Sequence, residues 1–129
     1  MNFKFQPVAE SPKTLFRSSV SEDKYASELD RLKKKSKKDI TCIIIDRENT
    51  KLPDISKHIF GCKSGVSASM FYACIRKKYE LSSNNALIMM IREEDGNYGM
   101  LNMTQTIGQL PKNEHGFVDI LYCEEHAFG

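Results

Sequence analysis

Four segments of the chain are mostly apolar, and each is short enough to form one strand of a sheet. Ile40–Asp46 and Phe117–Cys123 are apolar almost throughout and contain one acid each, which is the pattern of a strand buried on both faces. His58–Cys62 and Ala86–Ile91 predict two further strands. Gly61 weakens the first of these and favours an edge position or a bulge there.

Apolar residues recur at three- and four-residue spacing in two other segments, and this period predicts helices over residues 21–35 and 67–79. Both helices end in a basic turn, which suits the helix dipole. The expected buried positions are Tyr25, Ala26, Leu29 and Leu32 in the first helix and Met70, Phe71, Cys74 and Ile75 in the second. Shorter helices are expected near residues 13–18 and 104–110.

The order of these elements is a helical arm, two strands, a long helix, a strand, a short helix and a last strand. The long helix must cover one face of the sheet, and the two most apolar strands belong side by side in its middle. This arrangement predicts an α+β fold, the ubiquitin-like β-grasp, with a four-stranded mixed sheet. We divide the chain into an N-terminal arm and helical extension, residues 1–38, and a ubiquitin-like domain with a C-terminal tail, residues 39–129.

The composition of the chain argues against several functional classes. The net charge of the 129 residues is only +2, and charged residues make up 28%, so a dedicated nucleic-acid binder is not expected. No segment approaches the roughly 18 apolar residues of a membrane span. The four cysteines form no Cys-x-x-Cys pair and are expected to be reduced core residues of a cytoplasmic protein; they are Cys42, Cys62, Cys74 and Cys123.

The most basic stretch is Lys33–Lys38, which contains five lysines and one serine. It is either a solvated helix end and loop or a basic patch for an acidic partner. No aromatic residue is interleaved with the lysines, so stacking on single-stranded bases is not expected.

Catalysis is not expected, and neither is a cofactor or a metal. Cys123 and His126 are three residues apart and could be considered as a nucleophile and its base. However, Cys123 falls in a strand predicted to be buried, and no acid is placed to orient the histidine. His58, His115 and His126 lack metal-ligand spacing with one another or with the cysteines. His115 lies in a loop and is expected to be exposed to solvent.

An ordered set of short matches resembles the autophagy ubiquitin-like modifiers of the GABARAP and microtubule-associated light chain type, the autophagy-related protein eight family. The resemblance covers roughly residue 22 onward. The matching residues are Leu52-Pro53 with Ile55, Phe60, Ile75-Arg76-Lys77-Lys78-Tyr79-Glu80-Leu81, Asn85-Ala86-Leu87, Gly116-Phe117 and the terminal Phe128-Gly129.

The resemblance implies that Gly129 is the conjugation residue and Phe128 its hydrophobic neighbour. Activating and conjugating enzymes would join the Gly129 carboxylate to the amine of phosphatidylethanolamine, and a cysteine protease would process or deconjugate the protein. The product would act on the autophagosome membrane. A terminal glycine suits this role because a residue without Cβ passes through a narrow active-site channel in conformations closed to others.

The resemblance also implies a site for receptor peptides with an aromatic-x-x-aliphatic motif, beside Ile59 in the second strand. By position, the aromatic pocket would be formed by Glu28, Leu32, Ile43 and Phe117, and the aliphatic pocket by Phe60, Cys62, Phe71, Cys74, Ile75 and Lys78. These residues could instead be core, and for Ile43 and Ile75 the core interpretation is favoured.

The second strand departs from the family pattern. Ile59-Phe60-Gly61 stands where the family usually has lysine, phenylalanine and leucine, and Thr41 and Lys63 stand at positions where proline is common. Without the lysine, the acids that flank such peptides lose a partner, and without the leucine part of the pocket wall is missing. We therefore expect altered or weak peptide binding.

Two alternatives remain open. The sister modifier, autophagy-related protein twelve, is joined to a protein lysine, and Tyr122-Cys123 and Ala127 have some similarity to it; that family, however, ends in tryptophan-glycine. A ubiquitin-like binding module that is never conjugated is the other alternative.

Overall fold

A computed structural model describes residues 14–35, 39–49, 52, 54–79 and 87–124. The helices are α1 (Phe16–Ser19), α2 (Glu22–Lys35) and α3 (Ala68–Tyr79), and the strands are β1 (Ile40–Arg47), β2 (Ile59–Lys63), β3 (Leu87–Arg92), β4 (Tyr98–Met100) and β5 (Val118–Glu124). A 3-10 turn spans Ile107–Gln109. The predicted strands and long helices are therefore present, with ends shifted by at most one residue.

The strands form one mixed sheet in the order β2-β1-β5-β3-β4. The two central strands, β1 and β5, are parallel, and the other neighbours are antiparallel. The predicted β-grasp is confirmed, but the sheet has five strands where four were expected. The added strand, β4, has three residues, one of them Gly99, and it pairs with β3 after a turn at Gly96 (φ 89°). So short a strand leaves no apolar alternation in the sequence to reveal it.

Both faces of the sheet are covered. Ile43 and Ile45 belong to the main core with α3, whereas Cys42 and Ile44 pack with Tyr25 of α2 in a second, smaller core. Successive side chains of a strand point to opposite faces, so β1 supplies both cores. This explains why its sequence is apolar at nearly every position.

The two long helices are exposed to solvent at some positions where their apolar spacing predicted burial. Met70 and Cys74 are exposed on α3, where a buried position was expected, and so is Ala26 on α2. The other expected positions are buried or half-buried. The four cysteines are free, as expected, but Cys62 is only half-buried, so the core interpretation is wrong for Cys74 and incomplete for Cys62.

Candidate functional site

Strand β2 lies at an edge of the sheet, and within the described residues it pairs with β1 alone. The backbone N–H of Ile45 donates to the carbonyl of His58 at 2.8 Å. In an antiparallel pair only every second residue turns its N–H and C=O toward the partner strand. Ile59, Gly61 and Lys63 therefore direct these groups outward, where an extended peptide can add as a further strand.

One face of the β2 edge opens into a shallow cavity of about 230 Å³ beside α2. Glu28 lies on its wall and accepts a hydrogen bond from Nη2 of Arg31 at 2.7 Å. This bond is the main cause of the lowered pKa of Glu28, which keeps the carboxylate charged. The cavity thus combines two apolar residues with several charged ones; its lining residues are Phe16, Lys24, Glu28, Arg31, Ser56, Lys57, His58 and Ile59.

The residues predicted to form the aromatic pocket are only partly brought together. Leu32 and Glu28 lie on the accessible α2 side, but Phe117 is sealed in the core beneath α2 with no exposed surface. Ile43 lies on the opposite face of β1, in the main core. A shift of one residue along a strand reverses the face, so the sequence alone did not separate Ile43 from Ile44.

Two apolar side chains lie close to Gly61 on the α2 face of β2. A Cβ placed on Gly61 would lie 3.3 Å from Cδ1 of Ile40 and 3.5 Å from Cδ2 of Leu32. The two side chains therefore occupy the space next to the missing side chain. Gly61 itself is exposed, so the expectation that part of the pocket wall is missing beyond this position stays a prediction.

The opposite face of the β2 edge meets α3, and it brings the predicted aliphatic-pocket residues together. The Phe60 and Phe71 rings meet edge-on with centroids 6.4 Å apart, and Nζ of Lys78 lies 5.9 Å from the Phe60 centroid. Phe60, Phe71 and Ile75 are buried, Cys62 is half-buried, and Cys74 and Lys78 are exposed. Burial, and secondarily the nearby Cys74, raises the pKa of the Cys62 thiol.

Helix α1 is fixed to the sheet beside this site by an ion-pair network that the sequence did not reveal. Arg17 donates from Nη2 to Oδ1 of Asp119 at 2.7 Å and from Nε to Oδ2 of Asp46 at 3.2 Å, and Nη1 also contacts the hydroxyl of Tyr98. Asp46 and Asp119 are buried. A buried carboxylate needs a partner, so the single acid in each of β1 and β5 indicated that a cation must lie nearby. The sequence did not show that this cation is Arg17.

His58 connects α1 to the start of β2. Its ring stacks on Phe16 with centroids 4.3 Å apart, and Nδ1 and Nε2 lie 2.8 Å and 3.2 Å from the Ile45 carbonyl and an Asp54 oxygen. Ligand atoms of Asp46, Asp54 and His58 lie within 4.8 Å of one another. These atoms already have hydrogen-bond or ion-pair partners within the protein, so we interpret the group as a structural network.

His115 is also better packed than expected. Its ring stacks on Tyr25 with centroids 4.5 Å apart, and its side chain is 22% exposed. The expectation of a solvent-exposed loop histidine is wrong because the loop before β5 folds against α2.

Phe128 and Gly129 lie outside the described residues, as do His126 and the end of the basic run at Lys37 and Lys38. Cys123 is buried in β5, and burial raises the pKa of its thiol. A buried, protonated thiol is a poor nucleophile. No helix in the described ranges is long and apolar enough to cross a membrane.

Known proteins are similar to this chain in sequence and in the order of their secondary-structure elements. The family model described as "Autophagy protein Atg8 ubiquitin like" matches residues 24–129. Autophagy-related protein 8e of Arabidopsis thaliana is 26% identical over 116 residues, covering 90% of this chain and 93% of the relative. Autophagy-related protein 8 of Candida albicans is 26% identical over 114 residues, with coverages of 88% and 83%.

A solved structure supports the fold. The crystal structure of Trypanosoma brucei ATG8 is similar with a TM-score of 0.68 at 20% sequence identity, and the match covers 88% of this chain and 97% of that one. The family match includes α2 from residue 24 onward, the five strands and the edge at β2. By its sequence and its β-grasp together, the chain belongs to the Atg8 family of ubiquitin-like autophagy proteins.

Proposed function

We propose that this chain is a modifier whose C-terminal Gly129 is joined to phosphatidylethanolamine. The proposal rests on family membership, since the family match extends to residue 129 and includes the Phe128-Gly129 pair. Its partners would be the activating and conjugating enzymes of the autophagy system and a cysteine protease that processes or deconjugates it. The protein itself would be no enzyme, would bind no nucleic acid and would move from the cytoplasm to the autophagosome membrane on lipidation.

The same protein would dock receptor peptides at the β2 edge, and the geometry of that edge is the observation that supports this part. An added strand would hydrogen-bond to the outward backbone groups of Ile59, Gly61 and Lys63. Side chains three residues apart on a strand point to opposite faces. An aromatic-x-x-aliphatic peptide would therefore place one side chain beside α2 and the other against Phe60 and Cys62 beside α3.

We expect this chain to bind such peptides with lower affinity than a chain with the usual family residues in β2. Ile59 offers no charge to an acidic peptide flank, and Gly61 offers no side chain to the pocket wall. Lys57 and Lys78 both lie over the Phe60 ring, and with Lys24 and Arg31 of the α2 cavity they would supply positive charges at this edge. Fluorescence anisotropy with a labelled aromatic-x-x-aliphatic peptide measures the affinity, and a sub-micromolar dissociation constant would contradict this expectation.

A conjugation assay tests the main proposal. The protein is incubated with activating and conjugating enzymes of its own source, ATP and phosphatidylethanolamine liposomes, beside a Gly129→Ala control. We expect a faster-migrating band that carries the lipid mass on Gly129 and is absent from the control.

The other outcomes separate the alternatives. Thioesters without a lipid adduct would favour the protein-conjugated modifier of the autophagy-related protein twelve type. If no thioester forms with either enzyme, an unconjugated binding module becomes the better assignment.

A further inference from the structure

A second cavity lies at the far end of β2 from the cavity beside α2, and its volume is about 470 Å³. The cavity beside α2 is lined by residues 56–59, which precede or begin β2, whereas Ser64 and Gly65 follow β2 and line the second cavity. We call it the β2-end cavity; the polar side chains that line it belong to Lys33, Asp39, Thr41, Ser64, Thr106 and Lys112. We propose that the β2-end cavity binds a phosphomonoester group. This inference goes beyond the proposed function and depends neither on conjugation nor on peptide docking.

The hydroxyl groups of the cavity keep hydrogens that a ligand can accept. Oγ1 of Thr41 and Oγ of Ser64 lie 2.8 Å apart, and a hydrogen bond between two hydroxyls uses only one of their two hydrogens. The side chain of Thr106 accepts from the backbone N–H of Gln109 in the capping box of the 3-10 turn, so the hydrogen of its own hydroxyl is left to donate. The wall of the cavity therefore offers two O–H donors.

Two ammonium groups add positive charge to these donors. Nζ of Lys112 donates to the backbone carbonyls of Gly108 and Leu110 at 3.3 Å and 3.4 Å. Because an ammonium group has three hydrogens, these bonds hold Lys112 in place and leave its third hydrogen for a ligand. Lys33 supplies the second charge from the last turn of α2, which gives the first lysine of the basic run Lys33–Lys38 a place in a binding site.

A ligand rich in acceptors and negative charge matches these groups. A phosphomonoester carries a charge of about −1.5 to −2 near pH 7 and has three strong acceptor oxygens, whereas a carboxylate has a single charge and two oxygens. The volume of the cavity lies within the range of roughly 300–1,000 Å³ that is usual for small-molecule sites. Asp39 places one carboxylate in the same cavity. Since like charges repel, Asp39 limits the affinity for a phosphate.

Thr41 makes this cavity a feature of the present chain. Proline is common at this position in the family, and a proline side chain has no hydroxyl. Thr41 is only 3% exposed, and a buried hydroxyl needs a partner, which Ser64 provides. The pair of hydroxyls is therefore held in a fixed position at the start of β1.

Titration of the full-length chain, followed residue by residue in amide NMR spectra, tests the inference. The probes are inorganic phosphate and glycerol 3-phosphate, and acetate at equal ionic strength is the anion without a phosphate group. We expect both phosphates to shift the amide signals of Thr41, Ser64 and Thr106 in a saturable way, and acetate to leave these signals in place.

A second arm identifies the source of the phosphate. The headgroup of phosphatidic acid is also a phosphomonoester, so sedimentation with phosphatidylcholine vesicles is measured with and without phosphatidic acid. Saturable binding of glycerol 3-phosphate without binding to either vesicle would support a soluble ligand. Binding to the vesicles with phosphatidic acid that Lys112→Gln weakens would support a lipid headgroup as the ligand.

Three substitutions assign the binding to this cavity. Lys112→Gln should raise the dissociation constant of glycerol 3-phosphate by about tenfold or more, because a charge-assisted hydrogen bond is lost. Asp39→Asn should lower it by roughly twofold or more, because a repelling charge is removed. Lys57→Gln is the matched control, since Lys57 lines the other cavity. All three side chains are exposed, so none of these changes should disturb folding.

The inference is overturned if neither phosphate shifts the three amide signals, or if acetate shifts them as phosphate does. Equal dissociation constants for Lys112→Gln and Lys57→Gln would also overturn it, because the binding would then follow net charge and not the cavity. These outcomes are independent of Gly129 and of the peptide edge at β2, so failure here leaves the proposed function untouched.

Discussion

Replacing Arg17 with alanine should strongly destabilise the protein, because the guanidinium contacts two buried carboxylates. The side chains of Asp46 and Asp119 are 0% and 8% exposed, and that of Arg17 is 22% exposed. Removing one member of a buried ion pair costs about 3–5 kcal/mol, since the charge that remains is buried without its partner. Arg17 is partly accessible to water, which would solvate the carboxylates after its removal, so we expect the lower end, about 3 kcal/mol.

Urea unfolding followed by circular dichroism measures this loss. With an m-value of about 2 kcal/mol/M, a loss of about 3 kcal/mol lowers the midpoint by about 1.5 M. The matched control is Arg31→Ala. Arg31 contacts Glu28 at the same distance, 2.7 Å, but its side chain is 50% exposed, and exposed ion pairs contribute little. Equal midpoints for Arg17→Ala and Arg31→Ala would refute the reasoning.

Two further substitutions test other contacts. A Cβ at Gly108 would lie 2.8 Å from Cβ of Ser64, whereas one at Gly65 would have nothing within 4 Å. Gly108→Ala should therefore lower the free energy of unfolding by about 1–3 kcal/mol through overpacking. A melting temperature equal to that of Gly65→Ala would contradict this. Tyr122 is buried in β5, and burial is the main cause of its raised pKa. In the unfolded chain this tyrosine loses its proton near pH 10, whereas in the folded chain it stays protonated at that pH. The contribution of Tyr122 to the free energy of unfolding is therefore intact below pH 10 and is lost as the pH rises above it. Tyr122→Phe should show a smaller fall of the urea midpoint between pH 9 and pH 11 than the native chain, and parallel curves would exclude this effect.

The sequence by itself determined the long elements and their order. β1 has six apolar or β-branched residues in succession, and α3 has a helical period with a basic last turn. These signals are local, because burying a strand or one side of a helix requires apolar residues at a fixed spacing. The pattern of two fully apolar strands also predicted that β1 and β5 lie together in the middle of the sheet.

Only the tertiary structure decided which face each side chain occupies and which distant residues meet. Ile43 and Ile44 are neighbours of equal hydrophobicity, yet they belong to different cores, because the register of β1 assigns alternate residues to opposite faces. Arg17 and Asp119 are separated by 102 residues, and no local pattern links them. A charge pair at such a separation forms only after the sheet has brought β1 and β5 together beneath α1, so its partners are fixed by topology and not by spacing along the chain.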